Sequence, residues 1–200
     1  MKLPAILAIV GVLSGIPGCG AGVRSFGAWH DTSVQGARPH ASDTFPVEAV
    51  LAPASLVTVE LGVSGARLDE GGLTSPALLF QLPRLDRVHV LTLKSKLHVD
   101  AGVPGLVYPR VRLLDAQRVP TREFASNQFI YREDLQVTVF LDPTRRAERF
   151  VLITADAVPA DRLLRVQSLS GPPHRELASF ARGVLVLDFR PEPIEHVPFP

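Results

Sequence analysis

The chain has little that would staple or charge it. Only one cysteine stands among its 200 residues, so no internal disulfide can form. Lysine is confined to Lys2, Lys94 and Lys96. Lysine and arginine together number 21 against 20 aspartates and glutamates. That balance leaves no basic footprint for nucleic acid and no strongly acidic surface. Arginine is plentiful, but nowhere does a cluster of it interleave with aromatics, as a single-strand groove requires. Beyond the N-terminus, no apolar run approaches the roughly 20 residues needed to span a bilayer as a helix. Amphipathic helix candidates are scarce, and the spacing between apolar runs leaves no room for long βαβ crossovers. What remains is a composition of 46% apolar and 20% charged residues, typical of a globular protein. The length suits one domain. A domain of about 150 residues buries roughly 70% of its unfolded surface and holds a core without staples.

The first residues read as an export signal, not as part of the fold. Lys2 is a minimal positive region, and residues 5–13 (AILAIVGVL) form an apolar stretch too short to span a membrane. Small residues dominate 14–22, as a cleavage region demands. The lone cysteine falls here, in Ile16-Pro17-Gly18-Cys19, which resembles a bacterial lipobox. Residues 1–18 are therefore expected to be a lipoprotein signal peptide, with Cys19 the lipidation site. The alternative is an ordinary signal-peptidase cut nearby that leaves a stray thiol. Two or more acyl chains hold stably, each buried CH₂ contributing about 0.8 kcal/mol. Gly20, in place of an aspartate, resembles the sorting signal of outer-membrane lipoproteins. The expected location is the periplasm, with the membrane reached through the lipid. Residues 19–48 are rich in glycine, serine and proline without a lasting period, and read as a flexible tether. Trp29, beside His30, lies within it and suits surface packing at a domain edge.

From Ala49 onward the chain reads as short strands between turns. Residues 55–61 (SLVTVEL) alternate, with Val57, Val59 and Leu61 on one face. Residues 62–74 hold repeated glycine and read as a loop, and 77–82 are short and apolar. In 88–99 the apolar phase changes, which predicts a bulge or a strand changing sheets. Residues 135–141 alternate cleanly, 150–153 are apolar on both faces as in a central strand, and 163–169 and 184–189 complete the set. Residues 172–181 (PPHRELASFA) could hold a short helix with Leu177 and Phe180 inward. Eighteen prolines and fifteen glycines punctuate the chain at the spacing of a sandwich or barrel. The expectation is an all-β chain. It forms a single β-sandwich, jelly-roll-like, of about eight or nine short and mainly antiparallel strands over residues 49–190, with 191–200 a surface tail.

Reactive chemistry has few footholds. His30, His40, His89, His98, His174 and His196 are scattered, and no pair has ligand spacing on a helix or strand, so no metal is expected. No G-x-S-x-G elbow exists, since Gly62-Val63-Ser64-Gly65 has the wrong spacing. The glycine stretches lack the phosphate-loop pattern and its lysine. A glycosidase needs two facing carboxylates, which sequence alone cannot pair. The reading is of a non-enzyme without cofactors. Sugar binding needs aromatic faces with polar side chains beside them. Tyr108, Phe124, Asn127, Gln128 and Tyr131 are the candidates, with Ser126 among the donors of FASNQFIY; Phe129 and Tyr131, sharing one strand face, equally suit core packing.

The stretch VYPRVRLLDAQRVPTREFASNQFIYRE, then an alternating strand, then RRAERFVLITAD, resembles the MalM family of maltose-operon periplasmic proteins. Pro109 to Asp115 resembles that family's P-x-V-x-x-L-D strand and turn. Pro120, Phe124, Phe129 and Tyr131 fall where it has proline and aromatics, and 150–154 resembles its late apolar strand. Residues 83–95 and 183–189 also fit, so the likeness spans residues 49–190 as ordered weak matches. It implies a non-enzymatic accessory to maltose- or maltodextrin-type carbohydrate transport, meeting a maltodextrin or an envelope transport protein. The alternative is a structural or assembly lipoprotein that binds another envelope protein through a sheet edge or exposed patch.

Overall fold

The computed structural model of the chain describes residues 39–40, 44–62, 66–70, 73–100, 102–144, 148–156, 163–166 and 175–192. The expected signal peptide, Cys19, Trp29, most of the tether and the last eight residues lie outside them. In chain order the strands begin with β1 (Pro39–His40), β2 (Ala49–Val50), β3 (Ser55–Leu61), β4 (Arg67–Glu70), β5 (Leu73–Gln81) and β6 (His89–Ser95). Then come β7 (His98–Asp100), β8 (Val103–Leu106), β9 (Pro109–Leu114), β10 (Pro120–Phe124), β11 (Ile130–Tyr131) and β12 (Leu135–Leu141). The last are β13 (Phe150–Ala155), β14 (Arg165–Val166), β15 (Arg175–Glu176), β16 (Ala178–Ser179) and β17 (Gly183–Pro191). Among the described residues a 3-10 turn, Ser126–Gln128, lies between β10 and β11.

Two sheets carry the architecture. A seven-stranded sheet runs β1-β4-β5-β13-β9-β10, with β2 also beside β5. A five-stranded sheet runs β11-β12-β6-β17-β3. They face one another across a single core. Leu78, Phe80, Val111, Leu113, Val151 and Ile153 come from the first sheet. They meet Leu91, Leu93, Val137, Val139, Leu185, Leu187 and Phe189 of the second. The all-β sandwich read from the sequence is thus the fold. Its larger sheets are antiparallel in their long pairings. The parallel contacts β1–β4, β2–β5 and β16–β8 are two residues each.

Side-chain alternation explains most of this placement. In β12, Leu135, Val137, Val139 and Leu141 are buried and the residues between them are not. β6 behaves likewise, with His89, Leu91, Leu93 and Ser95 inward. Ser95 is tolerated there because its hydroxyl donates to the Val107 carbonyl at 2.6 Å. β13 is buried on both faces after its first residue, as a strand flanked by β5 and β9 should be.

Where sequence expectation and structure part, the reasons are physical. The phase change in 88–99 falls between Val90 and Leu91, inside β6, which keeps unbroken register with β12 and β17 and turns His89 inward where an apolar residue would stand. It is therefore neither a bulge nor a change of sheet, and the chain changes sheets only after Ser95. β6 belongs to the five-stranded sheet, whereas β7 joins a small sheet β16-β8-β7, leaving Leu97 43% and Val99 65% exposed. Residues 62–74 are not a simple loop, because β4 and the start of β5 pair as a hairpin there. No helix forms among the described residues of 172–181. Leu177 and Phe180 are buried, but on extended backbone whose N–H groups donate to Leu164 and Leu106 carbonyls at 2.8 and 3.0 Å. A spacing of three puts both residues on one face of a helix but on opposite faces of an extended chain, and here Leu177 enters the main core while Phe180 enters a smaller cluster with Ala181. The tether ends earlier than residue 48. Phe45 is 1% exposed, and Glu48 N–H donates to the Leu79 carbonyl at 2.8 Å.

Phe189 sits at the centre of the core, fully buried on β17 and stacked on His89 with ring centroids 5.1 Å apart. Truncating Phe189→Ala is expected to cost about 3–5 kcal/mol in urea unfolding. Leu56→Ala, 68% exposed on β3, is expected to change stability by less than about 0.5 kcal/mol. Equal losses from the two variants would contradict the inter-sheet core.

Candidate functional site

The five residues singled out for sugar binding gather around the 3-10 turn, but most of their aromatic surface faces inward. Tyr108 is 3% exposed. Its hydroxyl donates to the Leu177 carbonyl at 3.0 Å and accepts the Leu164 N–H at 2.9 Å. Both polar functions join the 163–166 and 175–179 segments to the core, so Tyr108 offers no ring face to a sugar, contrary to the sequence expectation. Phe124 and Tyr131 are half-buried and packed against the main core. The Arg122 guanidinium lies 5.8 Å from the Phe124 ring centroid. Phe129 is buried within that same core. Asn127 and Gln128 alone are exposed, and the Gln128 side-chain oxygen already accepts the Ala125 N–H at 2.9 Å.

Burial marks both tyrosines chemically. Desolvation pushes the Tyr108 phenol above its ordinary value despite the Leu164 hydrogen bond, with smaller contributions from Tyr131 and Glu176. Tyr131 is pushed up by desolvation and then by the Asp134 carboxylate.

Charged residues that sequence reading passed over form two networks. Arg110 donates to Asp156 at 2.7 Å, and Asp156 also accepts the Ser126 hydroxyl at 2.8 Å and the Ser126 N–H at 3.3 Å. Arg112 donates to Glu123 at 2.8 Å and also to Glu70. Burial works against the Arg112 charge, but the two carboxylates outweigh it and raise its pKa. The signal was present: Arg110 and Arg112 hold the outward positions of β9, and Glu123 on β10 is the register partner of Arg112. In the second network Arg122 grips Glu148 with two bonds of 2.6 and 2.9 Å and donates to the Phe140 carbonyl at 2.9 Å. Glu148 is 8% exposed. These contacts tie β10 to the connection between β12 and β13.

Beside Glu148 lies a cavity of about 370 Å³, between the β5–β6 and β12–β13 connections. Arg84, Asp86, Asp142 and Arg149 bring both signs of charge to its wall. It lacks the predominantly apolar lining of a small-molecule site. Among the described residues, no group of three or more His, Cys, Asp or Glu is disposed to hold a metal ion.

The most open feature is an edge. β3 ends the five-stranded sheet, and no described strand pairs with its other side. Alternate residues of an edge strand turn their N–H and C=O groups away from the neighbour, here β17. Natural edges are blunted by proline, charge, bulges or shortness. β3 is seven residues long, carries only Glu60 as a charge, and keeps unbroken register with β17 from Ser55 to Leu61. Its outer face shows Leu56, and farther across the same sheet Phe140 is 52% and Ile130 61% exposed.

No family model matches the chain, and no curated protein matches it.

Two outcomes follow. The chain has only two tyrosines, and an ordinary phenol ionises near pH 10. Because both are raised in the folded state, their contribution to stability is intact below about pH 10 and lost as pH climbs through the folded values. Absorbance titration of native protein should show phenolate appearing entirely above the unfolded midpoint; a tyrosine titrating at or below it would contradict the burial described. Separately, Arg122→Met leaves Glu148 buried and unpaired, at an expected cost of about 3 kcal/mol. The double change with Glu148→Met should recover much of that loss in urea unfolding, and a purely additive result would contradict the pairing.

Proposed function

We propose that this chain is a non-enzymatic lipoprotein of the cell envelope, anchored at Cys19 on the outer membrane, that works by holding another envelope protein along the open edge of β3. On the resemblance set out above, that protein belongs to a carbohydrate-transport system, and the chain is its accessory. The observation that carries the reading is the unblunted edge of β3, with Leu56 beside it. Adding a strand to such an edge gives affinity through main-chain hydrogen bonds and specificity through alternate side chains. The inward-facing aromatics favour contact with a transport protein over direct sugar holding by Tyr108, Phe124 and Tyr131. The same edge also suits a structural or assembly lipoprotein, and the identity of the bound protein separates the two readings.

The test places a photo-crosslinking residue at Thr58 in the full-length protein, in cells, with Glu123 on the opposite sheet as control. Thr58 is expected to capture a sugar-transport component, and Glu123 none. Thr58→Lys should abolish capture while shifting stability by less than about 0.5 kcal/mol. Capture of a non-transport envelope protein selects the assembly role. Saturable maltodextrin binding that is lost on Phe124→Ala or Tyr131→Ala, with no capture at Thr58, overturns the proposal.

A further inference from the structure

Residues 44–51 cross from the outer face of the seven-stranded sheet to the sandwich interior. Of these eight, only Phe45 and Leu51 are buried, each 1% exposed, and the six others are exposed. Leu51 belongs to the core between the sheets. Phe45 belongs to a separate cluster on the far side, with Leu68, Ala77, Leu79, Leu114 and Leu152. Phe45 is the one member of that cluster that does not come from the sheet. Backbone attachment is sparse. Glu48 N–H donates to Leu79 and Leu51 N–H to Gln81, at 2.8 and 2.9 Å, around the two-residue parallel strand β2.

A latch reaches this segment from across the sheet. Arg118 donates to the Phe45 carbonyl at 2.7 Å, and its guanidinium lies 5.3 Å from the Phe150 ring centroid. Its backbone has φ of 63°, the left-handed region that suits glycine and strains an L side chain. The turn itself is built by Asp115, whose carboxylate accepts the Gln117 and Val119 N–H groups, each at 2.8 Å. Glycine would fit that turn with less strain, but only a long cationic side chain reaches both the Phe45 carbonyl and the Phe150 ring.

We infer that residues 44–51 form a strap, latched by Arg118, that opens as a unit ahead of the sandwich. Opening uncovers the edge of β5 at Leu79–Gln81 and the apolar cluster beneath Phe45. Of the described residues, only the two-residue strand β1, paired with β4, precedes the strap in the sandwich, so a pull on the N-terminus meets β1 and then the strap before any long strand. The device stands whether or not Cys19 carries lipid and whatever β3 binds.

Hydrogen exchange on the full-length protein tests it. Elements with few buried contacts open locally, at lower free energy than core strands. The Glu48 and Leu51 amides are expected to exchange by local opening insensitive to low urea, while Val151 and Ile153 in β13 wait for global unfolding. Arg118→Gly keeps the turn and removes the latch. Losing one charge-assisted hydrogen bond should accelerate strap exchange about tenfold or more, with β13 unchanged. In a Cys19→Ser background, Val50→Cys with Gln81→Cys joins register partners of β2 and β5. Oxidation of that pair should slow the strap amides to the β13 rate, and reduction should restore them. The inference is overturned if wild-type Glu48 and Leu51 exchange at the β13 rate with its urea dependence. It is equally overturned if Arg118→Gly accelerates strap and β13 alike.

Discussion

A strand that is apolar on both faces must be covered on both, and β13 sets that demand for the whole molecule. Val151 and Ile153 point toward the five-stranded sheet, and Leu152 points the other way into the Phe45 cluster. The inner demand is met by β6, β12 and β17, whose alternation supplies a matching apolar face. The outer demand is met where Phe45 joins residues of β4, β5 and β9. The seven-stranded sheet is therefore not a simple two-sided element with one wet face. Its outer surface carries a local apolar cluster at one place and the Arg110–Asp156 and Arg112–Glu123 pairs at another. The strained turn at Arg118 follows from the same demand, because the segment that covers the cluster has few other holds.

The five-stranded sheet answers to a different constraint. Only its inner face is needed for the core, so its outer face is left to solvent or to a partner. Polar residues occupy much of it, including Thr92 and Thr138, whose hydroxyls lie 3.4 Å apart. Leu56, Ile130 and Phe140 break that pattern. Exposed apolar residues are common singly, but here they share a sheet that ends in an unblunted edge. In the interior, the buried polar groups Tyr108, Ser95 and Glu148 are each held by internal partners.

The fold was legible because its signal is local. The bounds of β3 and the alternation of β12 follow from period-two patterning, and the two-faced strand β13 from its short continuous apolar run. Very short strands such as β2, β15 and β16 were not legible, since two residues carry no period. The helix expected around Leu177 and Phe180 failed because both faces of the extended segment find apolar cover, Leu177 in the main core and Phe180 in a smaller cluster, and the distant Leu164 and Leu106 carbonyls accept its N–H groups. The aromatic residues were visible as aromatics, but exposure is a tertiary property. Nothing near Tyr108 announces that the Leu164 N–H and the Leu177 carbonyl will enclose its hydroxyl. Likewise Phe45, among prolines and small polar residues, reads as tether until the cluster it enters is known.

The outer face of β13 is covered by a side chain from the N-terminal segment, Phe45. Nuclear Overhauser contacts between the Phe45 ring protons and side-chain methyls test it most directly in the intact, folded protein. Cross-peaks are expected from the Phe45 ring to methyls of its cluster, Leu79, Leu114 and Leu152 among them, with ring-current shifts to match. A Phe45 ring with random-coil shifts and no such contacts, while the sandwich remains folded, would contradict it.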